Sequence, residues 1–176
     1  RHVDLQDRGG LGWLTGFDEA IVRCGLDSNG APTTDVVPNN MGVPSEVALT
    51  LHGRIANLPD QRVEVRVDPG DPPRIVVAGT VREAALFYPG LELRAEIATA
   101  AGSNAVTIAD AVTNLRGVDS EFELLYHCNF GPPCLEAGAR LEVPARLVAP
   151  RDARAVEGVD SYADYQSYVD TLLRTN

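Results

Sequence analysis

The chain has 176 residues, 44% hydrophobic and 23% charged, a globular composition for which disorder is not the default reading and which leaves room for a single domain over residues 1–176. Its 15 basic residues are all arginine against 25 acidic ones, net −10, a surface that repels nucleic acid and anionic membranes. Without lysine there is no Schiff-base chemistry, no pyridoxal phosphate enzyme and no P-loop NTPase. No apolar run reaches the roughly 18 residues of a membrane helix, so neither nucleic acid nor a membrane is an expected partner. Opening on Arg1, with Met41 as its single methionine, the sequence reads as a processed or trimmed chain.

Residues 13–24 are ambiguous between helix and loop, and the reading favoured here is a loop that leads into a strand over 20–24. Asp27-Ser28-Asn29-Gly30 is a turn. Val47, Leu49 and Leu51 then alternate with Glu46, Ala48, Thr50 and His52, the period of a strand with one solvated face. Val63, Val65 and Val67 alternate in the same way with Arg62, Glu64 and Arg66. After the breaker Asp68-Pro69-Gly70-Asp71-Pro72-Pro73 and the turn Tyr88-Pro89-Gly90, Leu91, Leu93, Ala95 and Ile97 alternate with Glu92, Arg94 and Glu96. The opposite charges on these outer faces are placed to pair across strands. Turns at 102–104 and 116–117 precede Phe122, Leu124 and Tyr126, which alternate with Glu123, Leu125 and His127. Pro144 restricts a strand over 141–148 to an edge or a bulge. Tyr162, Tyr165, Val169 and Leu172 have helical spacing after Asp160, which predicts a helix over 161–174. Short strands parted by turns predict an all-β chain, an antiparallel sandwich or barrel.

Three cysteines, Cys24, Cys128 and Cys134, make no disulfide framework. The odd count favours reduced, buried thiols and a cytoplasmic location. Their spacing fits no zinc site, so no metal is expected.

Of the three histidines, His2 sits at the terminus, whereas His52 and His127 share a context. Each ends an alternating run just before polar groups and a glycine. Either one can be a half-buried imidazole satisfied by backbone, or a group that exchanges protons near neutral pH. Arg54, Asn57 and Asn129 nearby supply planar donors and acceptors suited to sugar hydroxyls, although Arg54 can equally pair with a carboxylate and Asn57 can serve a turn. Trp13 reads as a core residue that could instead be a sugar platform.

Leu51-His52-Gly53-Arg54-Ile55-x-Asn57-Leu58-Pro59 and Leu125-Tyr126-His127-x-Asn129-Phe130-Gly131 closely resemble segments of the galactose mutarotase-like proteins, in a bacterial branch of the aldose 1-epimerase superfamily catalogued as a domain of unknown function. Cys24-Gly25-Leu26, Gly30-Ala31-Pro32, Asp110-x-Val112-Thr113-Asn114 and Pro150-Arg151-Asp152 support the resemblance, which runs over residues 8–165. It implies an antiparallel β-sandwich of the galactose mutarotase type. It also implies a sugar isomerase that interconverts anomers without metal or cofactor. By the resemblance, His127 is the general acid on the ring oxygen, His52 holds and polarises the sugar, and a glutamate removes the anomeric proton. Family members are longer. Their distal half supplies that glutamate, so the resemblance covers roughly the first half of the family domain and the sandwich is expected to be incomplete. Glu123 is a poor replacement, since four residues along a strand is about 13 Å.

Three functions follow as expectations: an aldose 1-epimerase-like isomerase, a non-catalytic carbohydrate-binding module, or half of a sandwich completed by another chain or a second copy. The expected ligand is a neutral or weakly acidic sugar contacted by Arg54, Asn57 or Asn129.

Overall fold

Residues that alternate apolar with charged become strands, and the breakers between them become connections. In chain order the first unit holds a 3₁₀ turn at Gly12–Gly16, β1 (Ile21–Leu26), β2 (Thr33–Pro38), β3 (Pro44–Leu49) and a 3₁₀ turn at Ile55–Asn57. Then come β4 (Arg62–Asp68), β5 (Arg74–Ala84), β6 (Gly90–Ala100), β7 (Thr107–Asn114) and β8 (Glu123–Cys128). The structure, a computed structural model, describes residues 8–16, 19–39, 41–84 and 90–163. They fall into two units, Arg1–Cys128 and Asn129–Asn176. Every strand pair is antiparallel. The first unit is thus the expected all-β arrangement: β1 with β8, β2 with β3, and a four-stranded sheet in the order β4-β5-β6-β7.

Register sorts the side chains of the large sheet into two faces. On one, Arg66 lies opposite Val76 and Glu96 opposite Ala78. Arg66 spans to Glu96 at 3.0 Å and to Asp68 at 2.9 Å, while Arg82 reaches Glu92 at 2.6 Å. Arg66–Glu96 and Arg82–Glu92 are cross-strand charge pairs of the kind the sequence predicts, whereas Arg66–Asp68 lies within β4; Val76, Ala78 and Ala98 are buried on this face.

The other face is apolar. At one end of it Val81, Leu91, Leu93 and Val112 pack with Leu26 of β1, Leu124 of β8 and Ile55 to form a core. Toward the other end, Val65, Val77 and Ile97 lie side by side in register and remain exposed, as do Val63, Val67 and Ile75.

Two polar ties join the β1–β8 ribbon to the large sheet. Arg23 grips Asp110 of β7 through two hydrogen bonds, Nε at 2.6 Å and Nη2 at 2.9 Å, and the Tyr126 hydroxyl donates to the same carboxylate at 2.8 Å. Glu83, 2% exposed, accepts the Leu26 N–H at 2.7 Å. Both ties set buried carboxylates against donors that would otherwise be unsatisfied.

The second unit contains no strand among its described residues. It has turns, a short helix α1 (Ala153–Val156) capped by Asp152, and a 3₁₀ turn at Val159–Ser161. The expected edge strand at 141–148 is therefore absent. Pro144 lacks the N–H that a ladder needs in the middle of that stretch, and Pro150 interrupts the chain again just beyond it. The tail helix expected over 161–174 lies outside the described residues beyond 163. Among the described residues no helix is long and apolar enough to cross a membrane.

Two further expectations are corrected. Cys24 is buried, but Cys128 and Cys134 are exposed, one at the end of a strand in a two-stranded ribbon and the other in a turn. His52 does not end a strand: β3 stops at Leu49, and His52 sits in the following turn with φ of 55°.

Candidate functional site

The site is built where that turn meets the β1–β8 ribbon. Three main-chain bonds fix residues 51–53. Leu51 N–H donates to Gly10 O at 2.8 Å, His52 N–H to Gly30 O at 2.8 Å, and Gly25 N–H to His52 O at 3.0 Å. Gly53 bridges Gly25, and a Cβ there would lie 2.5 Å from the carbonyl oxygens of both Gly25 and Ser28. Only glycine fits such an approach at a φ of 73°. The His-Gly dipeptide is thus a left-handed pair pressed onto the β1 backbone.

His127 arrives from the other side. In β8 it faces Val22 of β1, and Val22 packs with Cys24 and Trp13 in a second small core that includes Leu51. Trp13 is 3% exposed and meets both imidazoles edge-on, His52 at 4.6 Å and His127 at 5.2 Å between ring centroids. The two imidazoles are 6.0 Å apart. Residues separated by most of the unit are brought within reach of one small ligand.

Electrostatics distinguishes the rings' surroundings. His52 Nδ1 is 3.0 Å from Asn29 Oδ1. Burial, reinforced by repulsion from His127, holds the His52 pKa below the usual histidine value, so the ring is neutral at pH 7. The Cys24 thiol beneath is pushed up by burial and stays protonated.

The other predicted residues are placed differently. Arg54 turns to carboxylates, its Nη2 2.9 Å from Asp27 Oδ2 and its Nε 3.2 Å from Glu83 Oε1, with about half of its side chain exposed. Asn57 closes the 3₁₀ turn, and its carboxamide oxygen is buried without a hydrogen-bond partner. Asn129 opens the second unit. Among the described residues no cluster of three or more His, Cys, Asp and Glu side chains is arranged to hold a metal ion.

Asn29 and Trp13 are the residues that sequence reasoning undervalued. Asn29 reads as an ordinary turn residue, and its turn's approach to His52 crosses a gap in sequence that carries no local signal. A cleft of about 290 Å³ lined by Arg23, Ile55, Pro59, Asp60, Val77 and Ile97 contains neither histidine. It extends the open apolar sheet face, and its ionisable lining is Glu19, Arg23 and Asp60.

A match to the family described as Domain of unknown function (DUF4432) extends over residues 1–170. The chain is similar to a crystal structure from Klebsiella pneumoniae subsp. pneumoniae MGH 78578 provisionally described as an aldose 1-epimerase, with 34% identity and a TM-score of 0.77. The similarity covers 92% of this chain but 40% of that one, so the chain spans well under half the length of its structural relative. A comparison with curated proteins finds no match.

Proposed function

Because the chain belongs to the DUF4432 family, with the fold of an aldose 1-epimerase-like structure, we propose that it forms the histidine-bearing part of a sugar mutarotase-like site. The observation that carries this reading is the pair of imidazoles 6.0 Å apart on a shared tryptophan. His127 is the general acid that protonates the ring oxygen, and His52 binds and polarises the sugar. As a base takes the anomeric hydroxyl proton, by the resemblance a glutamate that the family's distal half supplies, the bond from C1 to the ring oxygen breaks; rotation about C1–C2 and closure on the other face, with the proton transfers reversed, then exchange the anomers. Arg54 or Asn57 is the proposed hydroxyl contact within the first unit, and the orphaned Asn57 oxygen suits an incoming O–H donor. The ligand is a neutral or weakly acidic aldose.

The test is polarimetry or NMR saturation transfer on freshly dissolved α-aldoses. Exchange by the 176-residue chain tested alone should be weaker by about 10² to 10⁴ than that of a longer version carrying the family's glutamate, His127→Ala should reduce what remains, and His52→Ala should mainly weaken binding. Exchange that survives His127→Ala undiminished would sink the mechanism. Sugar binding with negligible exchange in both lengths would favour the carbohydrate-binding module. A second reading has its own support: the exposed row of Val65, Val77 and Ile97 fits a sandwich whose open face is covered by further polypeptide.

A further inference from the structure

We propose that Asn29 is a positioning residue that holds His52 in the tautomer protonated on Nδ1, leaving Nε2 as a hydrogen-bond acceptor for a sugar hydroxyl. The proposal rests on the sugar-binding reading of His52 and adds the form in which that side chain meets its ligand. It follows from what each atom can do. A carboxamide oxygen has lone pairs and no proton, so at 3.0 Å from Asn29 Oδ1 the His52 Nδ1 must be the donor. A neutral ring protonated there carries its lone pair on Nε2.

The grip is made by one turn at two points. Asn29 takes the ring, and its neighbour Gly30 takes the backbone N–H of His52 at 2.8 Å. Trp13 and His127 set the ring edge-on, which limits its rotation. Among the described residues the titratable groups around this ring are His127 and, packed with Trp13, the protonated Cys24 thiol. Asp27 and Arg54, on the flanking turns, are paired with each other.

The consequence is selectivity. A neutral acceptor engages a hydroxyl, which can donate, and has nothing to offer a carboxylate or a fully ionised phosphate, which can only accept. The site therefore favours the hydroxyl-bearing face of a neutral aldose over an anionic group at this position.

The experiment uses the full 176-residue chain labelled with ¹⁵N at histidine. Long-range ¹H–¹⁵N spectra identify which imidazole nitrogen is protonated. The expected result is His52 protonated on Nδ1 in the wild type, with that preference lost in Asn29→Ala. Asn29→Asp should restore the Nδ1–H form and raise the pH at which His52 becomes cationic, a response that a merely structural role would not give. Titration with D-glucose and D-galactose should show Asn29→Ala binding about tenfold more weakly, the effect of one hydrogen bond. A wild-type His52 protonated on Nε2, or a tautomer unchanged in Asn29→Ala, would overturn the role of Asn29. A correct tautomer with no response of His52 to either sugar would instead overturn the sugar reading of the site and the hydroxyl contact with it.

Discussion

Glu83 is almost fully enclosed, yet it shares its surroundings with a second carboxylate, Asp27, and one guanidinium, Arg54. Burial, with repulsion from Asp27, pushes its pKa up from 4.5 to about 7, against the opposing pull of the Leu26 N–H and Arg54. The folded chain then holds a proton that the unfolded chain releases between these values, so stability should fall as pH rises from 4.5 to 7 and level off above. Urea unfolding at pH 5 and pH 8 should give the higher midpoint at the acidic pH, and Glu83→Gln should flatten the difference. A midpoint that rises with pH would contradict this assignment. At this scale the sequence is partly legible. His52 and His127 stand out because imidazoles are few, and Arg54 takes the charge-pairing alternative, with Asp27 and Glu83. Glu83 gives no signal, since a glutamate in an alternating strand looks solvent-facing until register turns it inward opposite Leu91.

The turn that carries His52 depends on a glycine more than on its own histidine. Gly53→Ala adds a Cβ at a left-handed φ and drives it against two carbonyl oxygens at 2.5 Å. The conformational part costs roughly 1–2 kcal/mol, and the overlap about 1–3 kcal/mol more. Gly102→Ala isolates the first part, because Gly102 has nearly the same φ of +76° with open space around its Cβ. Thermal melts should place Gly53→Ala clearly below Gly102→Ala. Equal losses would mean that the turn does not need its close approach to β1. Among the elements, the runs that became β4, β6 and β8 are legible because one face is polar and the period is clean. β5 is less so, since Ile75-Val76-Val77-Ala78-Gly79 is apolar on both faces and shows no period-two alternation. The His52 turn is illegible for another reason: a histidine at positive φ continues the apparent alternation of β3 while the backbone has already left the strand.

On the whole molecule, the net charge of −10 and the charged outer face coexist with an apolar patch of valine and isoleucine on the opposite face of the same sheet. Patches of this kind mark surfaces that meet other polypeptide or bind apolar solutes. The folded chain should therefore bind an environment-sensitive hydrophobic dye, and Val65→Thr with Ile97→Thr should reduce the signal. The melting temperature should change little, because these side chains are already 67% and 40% exposed. Loss of the fold rather than of dye binding would show that the patch belongs to the core. The ribbon that carries His127 adds a kinetic consequence. β4 to β7 pair with their neighbours in sequence, whereas β1 must wait for β8, with Val22 meeting His127 about a hundred residues later. Closing so long a loop is entropically unfavourable until the large sheet has brought its ends together. The two imidazoles therefore meet near the end of folding, and a nascent chain carries no paired site until its eighth strand has been made.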